Sequence, residues 1–231
     1  MDRPIIMTGE SVCAILAGRK TQTRRLMSLP RAPDHLGRWE ASTSGGPGLR
    51  DSKGREYPPF PVVWHTRTGQ SFASPYSIGD RLWCKESWDY VGGTEYLYQQ
   101  EPGAVLYRER DQNLSGHLQR KWRTPLFMPR WASRLTLEVT EVRIQRLQEI
   151  SEEDAIAEGV RHWPDIADPH PYKHGPRWSM ATPTSTDQCL GTARYAYASA
   201  WDAIQGSRPS WKAVLWASNP WVSAITFRLV A

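Results

Sequence analysis

A shift of apolar parity inside one strand-like run constrains the fold of this chain more than any other feature. Leu135, Leu137 and Val139 alternate with polar neighbours, and the apolar positions then move to Val142 and Ile144. A period of two marks a strand with one buried face. A parity change within the run requires an extra residue, and a bulge or bend near Glu141 supplies it. Bends of this kind curve sheets and help to close barrels.

Other elements can be placed around this strand. After the turn at Gly79-Asp80, Leu82 and Cys84 alternate with Arg81, Trp83 and Lys85, as strand residues do. Further strands are expected over Ala104–Tyr107 and through Val222, Ala224 and Thr226 or their alternates, ending near Leu229. Thr8 is a plausible cap for a short helix burying Val12, Ile15 and Leu16, with Gly18 as its left-handed stop. Ser151-Glu-Glu-Asp154 resembles a capping box opening a second helix that ends at Gly159. A third follows Thr192, with Tyr197, Ala200, Trp201 and Ile204 at helical spacing and Gly206 at its end.

Two stretches lack such patterning. Ala41 to Gly48 is turn-forming, and Pro58, Pro59 and Pro61 follow. Residues of about 27–77 therefore read as an insertion or long loop, with room for a hairpin around Val62-Val63-Trp64. The Pro- and His-rich residues of about 160–190 read as a second insertion. The expectation is a single α+β domain over residues 1–231, with a small closed or nearly closed β-barrel, flanking helices and two long insertions.

Composition narrows the partners. A net charge of +5 favours polyanions only mildly, but its distribution is informative. Arg120, Lys121, Arg123, Arg130 and Arg134 interleave with Trp122, Phe127 and Trp131 in a stretch without acids. That pattern suits phosphates and stacked bases, and equally a solvated strand face. Twelve tryptophans are costly to leave exposed, so most are expected in the core or lining a site. The three cysteines show no C-x-x-C spacing. No apolar run approaches the roughly 18 residues that span a bilayer, and no signal pattern opens the chain, so a cytoplasmic location without membrane association is expected.

Chemistry concentrates in the basic loop Gly18-Arg19-Lys20-Thr21-Gln22-Thr23-Arg24-Arg25. Lys20 and Thr23 are three residues apart just after a helix end. A lysine with a pKa lowered by burial can take a hydroxyl proton and create a nucleophile. A phosphate-binding or merely solvated loop fits the same residues. A third participant would be Glu86, at the end of a strand, or Glu158, at the end of a helix, and periodicity does not choose between them. His162, Asp165, Asp168, His170 and His174 offer metal-ligand types, but their Pro-rich context gives no helix to converge them. Neither a metal nor another cofactor is expected, and no dinucleotide or Walker-type loop is present in the sequence.

The loop resembles the Gly-x-Lys-Thr-x-Thr-x-Arg motif of the ASCH domain, a member of the PUA-like superfamily. Gly79-Asp-Arg-Leu-Trp83, Leu147 to Gly159 and Trp221 to Arg228 follow in the order that family shows. The resemblance covers about two-thirds of the chain and is greatest to the larger ASCH-type proteins carried by phages and prophages. It implies a PUA-like barrel and a role with RNA or modified nucleobases. One bacterial branch of the family removes the acetyl group of N4-acetylcytidine. Carried over position by position, its catalytic residues fall on Lys20, Thr23 and Glu158. The resemblance thus implies amide hydrolysis. Lys20 would activate Thr23, Glu158 would orient Lys20 or protonate the departing amine, and Arg25 or loop amides would hold the oxyanion. Thr21, Arg25, Trp83, Glu86 and Trp88 are the candidate substrate-binding residues. Arg24, Arg120, Lys121, Arg123 and Arg130 are those expected to contact nucleic acid. The implied partner is a modified nucleoside or RNA, and a non-catalytic RNA-binding module is the alternative.

Overall fold

The computed structural model describes residues 1–30, 36–90, 105–107, 122–166, 175–206 and 214–230. In chain order, β1 (Asp2–Ile6) leads through α1 (Gly9–Leu16) to β2 (Gln22–Leu26). β3 (Trp39–Ser44), β4 (Phe60–His65) and β5 (Ser71–Ala73) come next. They precede β6 (Arg81–Lys85) and the short pair β7 (Trp88–Tyr90) and β8 (Val105–Tyr107). β9 (Thr136–Arg146), α2 (Glu152–Ala157), β10 (Arg161–His162) and β11 (Trp178–Ser179) follow. α3 (Ala193–Gly206) and β12 (Trp221–Leu229) complete the described elements.

The main sheet has five strands in the order β1-β6-β9-β12-β2. The β1–β6 pair is parallel and the other pairs are antiparallel. β9 carries the parity shift expected from its sequence. Glu141 faces Thr226 and Val139 faces Phe227, so Thr140 has no opposite number on β12. That extra residue allows Leu137, Val139, Val142 and Ile144 all to be buried.

β12 lies between β9 and β2 and is covered on both faces. Ile225 and Phe227 join Val12, Ile15, Leu82 and Leu137 in one core cluster. Val222 joins Ala155, Ala196, Tyr197 and Trp201 in a second, beneath α2 and α3. Burying a side chain of the size of Ile225 contributes about 1.5–3 kcal/mol. The three sequence-predicted helices form where their caps place them. Thr8 and Ser151 accept from the backbone amides of Ser11 and Asp154, and Thr192 accepts from Tyr195. Leu16 and Ile204, expected in the core, are 49% and 46% exposed.

The chain is α+β with mixed sheets, and the sheet expected as a closed or nearly closed barrel shows no closure among the described residues. β1 and β2 are its two edges, and no ladder joins them among the described residues. Side chains bridge the seam instead. Arg25 Nη2 on β2 donates to the Ile6 carbonyl on β1 at 2.6 Å and approaches Met7 Sδ at 3.3 Å.

The stretch 27–77, read as an insertion or long loop with room for a hairpin, holds a small sheet. β3, β4 and β5 form a three-stranded antiparallel sheet with β4, the site of the expected hairpin, at its centre. Val63 docks this sheet on Ile144 and Trp221, and Ser74 Oγ meets Ser223 Oγ at 2.5 Å. In 160–190, the short pair β10–β11 forms and Trp178 bridges to Leu190. No helix among the described residues is long and apolar enough to cross a membrane.

Candidate functional site

The site begins with the way α1 ends. Gly18 adopts φ +69°, its amide donates to Ile15, and the Arg19 amide donates back to Ala14. This pair of bonds is a Schellman stop, which needs a residue free to take positive φ. The Lys20 amide also bonds Ala14, Thr21 N–H donates to Ala157 of α2, and Thr21 C=O accepts from Phe227 of β12. Lys20 is thereby fixed between two helices and β12. Gly159 ends α2 at φ +106°, a conformation that favours glycine, while an added Cβ would make only ordinary contact, 3.5 Å, with Lys20 Cβ.

Lys20 Nζ donates to Glu158 Oε2 and to the Glu158 carbonyl, both at 2.7 Å. The two side chains are 138 residues apart in sequence and each is only 4% exposed. The structure therefore brings Glu158, of the two candidate carboxylates, to Lys20. Glu86, the other candidate, is buried elsewhere in a paired contact with Arg134 at 2.8 Å on both oxygens.

Arg24 ties the pair to α2. Its guanidinium, with no exposed side-chain surface, reaches Glu158 Oε1 at 3.2 Å and Asp154 Oδ2 at 2.6 Å. Gln22 accepts from Arg24 at 2.5 Å and Arg143 donates to Asp154 at 2.8 Å. Asp154, placed by sequence in a capping box, thus gives its carboxylate to this network. Burial disfavours its charge, but the Arg143 hydrogen bond and the Arg24 charge outweigh that and hold its pKa below the usual value. Arg24, expected to contact nucleic acid, is instead the interior hub of the site, because its two carboxylate partners lie beneath the sheet edge.

Burial pushes the Lys20 pKa below its usual value. The Glu158 charge and hydrogen bond oppose this, while Arg25 and Arg24 add to it. Tyr197 is buried beside the same group, and burial followed by the Glu158 charge raises its pKa well above normal. Its ring lies 5.9 Å from the Arg24 guanidinium carbon.

These groups open onto a cavity of about 190 Å³ in the seam between β1 and β2. Lys20, Thr23, Arg25 and Glu158 line it with Tyr197 and Trp201 of α3. Thr23, Arg24 and Arg25, consecutive on the edge strand β2, all contribute to the lining. Thr23 is 5% exposed, and no hydrogen bond joins it to Lys20 among the described residues. A second cavity of about 310 Å³, lined in part by Arg19, Arg161 and Trp163, shares Ser11, Glu158 and Met180 with the first.

The remaining expected residues lie elsewhere. Thr21 serves as a backbone clasp. Trp83 does not line the 190 Å³ cavity and lies 5.3 Å from Lys85 Nζ and 5.9 Å from the Arg130 guanidinium. Trp88 is buried with Met128 and Ala132, and its NH has no partner among the described residues. Arg123 pairs with Asp89 at 3.3 Å and Arg130 with Asp2 at 3.4 Å, which partly neutralises both. Arg120 and Lys121 lie outside the described residues, as do Asp168, His170 and His174. His162 packs on Trp178 at 5.0 Å between centroids.

Sequence reasoning missed Gln205. This side chain is 5% exposed, lines the cavity, and keeps Oε1 buried without a partner. The available signal was a polar residue continuing the buried Tyr197–Trp201 stripe of α3. No family model, curated protein or solved structure matches the chain.

Proposed function

We propose that the seam cavity hydrolyses an amide on an N4-acylated cytidine or a related modified base, with Thr23 as nucleophile. The observation that carries this reading is the buried Lys20–Glu158 contact at 2.7 Å, on a cavity also lined by Thr23. The motif resemblance to ASCH-type amidohydrolases supports the same three residues.

Burial lowers the Lys20 pKa, so its neutral amine is accessible as a base, and Glu158 orients it. Thr23 Oγ attacks the acyl carbon as its proton passes to Lys20 Nζ. The lysinium gives that proton to the departing exocyclic nitrogen, leaving an acyl ester on Thr23 and a neutral amine. Water then attacks the ester as it gives a proton to Lys20, which passes it to the leaving Thr23 oxygen. The acid departs and the starting amine is restored. Arg25, partly tied to Ile6, lines the cavity with Nε unpaired among the described residues and is the cation assigned to a developing oxyanion. The adjoining cavity with Arg19 and Arg161 gives space for a sugar-phosphate beyond the base.

A panel of N4-acyl cytidines tests this reading. Turnover by the wild type and its loss in Lys20→Ala, with folding intact, support it. No turnover across the panel removes it. A second reading, a non-catalytic RNA-binding module, is favoured by exposed Phe127 and Trp131, 72% and 64% open, near Arg123 and Arg130. It predicts oligonucleotide affinity that falls steeply with salt and survives Lys20→Ala.

A further inference from the structure

We propose that Gln205 recognises the N–H of a secondary amide in the seam cavity, a role that rests on the hydrolase reading above and sharpens its substrate class. Residues 197, 201 and 205 fall on one face of α3 at i, i+4, i+8 spacing. Tyr197 and Trp201 occupy that face as buried aromatics, 4% and 7% exposed. An apolar side chain at 205 would continue the stripe, yet the position holds a carboxamide that is 95% buried. Its Oε1 has no hydrogen-bond partner among the described residues. A buried acceptor left unpaired destabilises the fold and is kept where a ligand satisfies it.

A second orphan belongs to another residue of the same lining. Arg25 Nε is buried without a partner, although Nη2 of the same guanidinium is tied to Ile6. Two residues of one lining thus carry an acceptor and a donor that are unpaired among the described residues and do not bond each other. A secondary amide has the complementary pair, an N–H for Gln205 and a C=O for Arg25. The aromatic faces of Tyr197 and Trp201 give the cavity flat apolar walls suited to a planar base. A tertiary amide has no proton to give Gln205, so the site discriminates between acylated secondary and tertiary exocyclic nitrogens.

The test compares N4-acetylcytidine with N4-acetyl-N4-methylcytidine. The wild type is expected to favour the first by at least roughly tenfold in kcat/KM. Gln205→Met keeps the side-chain length and removes both polar atoms. It should narrow the preference to about threefold or less, with an unchanged or raised thermal midpoint. Gln205→Glu keeps the acceptor and should keep the preference. A folded Gln205→Met enzyme that retains the full preference overturns the inference, because the discrimination is then steric. If the wild type cleaves neither compound, the hydrolase reading fails and calorimetry with cytidine decides the role of Gln205. Affinity that falls about tenfold in Gln205→Met supports recognition of the exocyclic N–H. Unchanged affinity, or no binding by the wild type, overturns it.

Discussion

Replacing Arg24 with Met tests whether the interior charge network organises the site. Arg24 has no exposed side-chain surface and contacts Glu158 at 3.2 Å and Asp154 at 2.6 Å. Removing one member of a buried ion pair costs about 3–5 kcal/mol, chiefly by leaving the other charge unpaired. Here the survivors are partly compensated. Glu158 keeps Lys20 at 2.7 Å and Asp154 keeps Arg143 at 2.8 Å. The lower end, about 3 kcal/mol, is therefore expected. For a chain of this length that corresponds to a fall of roughly 6–12 °C in thermal midpoint. Urea denaturation with an unchanged slope gives the free energy directly. The exposed pair Arg38–Glu40, with Arg38 81% open, supplies the control, and Arg38→Met should leave the midpoint within error. Arg24→Met should also raise the Lys20 pKa, since the Arg24 charge helps to depress it. If Arg24→Met costs no more than Arg38→Met, the network is not a structural unit and the reasoning fails.

Four further outcomes are expected. The kcat/KM of the wild type should rise with pH through the Lys20 pKa, with a midpoint below the ordinary 10.5, because the neutral amine is the base; a limb at 10.5 or no limb would count against it. The same shift makes the folded state bind fewer protons than the unfolded one between the two pKa values. Stability should increase with pH across that window, be least below the folded pKa, and lose this rise in Lys20→Met. Gly18→Ala should cost about 1–2 kcal/mol by urea denaturation, from the φ of +69° alone, since nothing lies within 4 Å of an added Cβ. Burial pushes the Cys84 thiol up to about 12, so iodoacetamide at pH 8 should spare it in the native protein and modify it in urea.

Local signals in the sequence located much of this architecture. The parity shift at Val139–Val142 predicted the β9 bulge, and the caps at Thr8, Ser151 and Thr192 predicted three helices. These features are encoded within a few residues of where they act. The three-stranded sheet in 27–77 was not legible, because β3 is a polar strand and its partner β4 begins after a Gly- and Pro-rich run. Its burial depends on Val63 meeting Ile144 and Trp221, contacts that no local period records. The open seam was likewise hidden, since strand order is a long-range property. At the site, Lys20 and Thr23 were legible from spacing, but Glu158 required the resemblance and Arg24 required the fold. A basic run suggests surface, and only the approach of α2 to β2 turns Arg24 inward.

The measurement that tests the central claim most directly is turnover of N4-acetylcytidine by Thr23→Ala and Thr23→Ser, beside wild type at matched folding. The account predicts wild-type turnover, a loss on the order of 10³-fold or more in kcat for Thr23→Ala, and substantial activity in Thr23→Ser, which keeps a nucleophilic hydroxyl. A folded Thr23→Ala protein within about tenfold of wild type would contradict it, as would a wild type that leaves the acyl group in place.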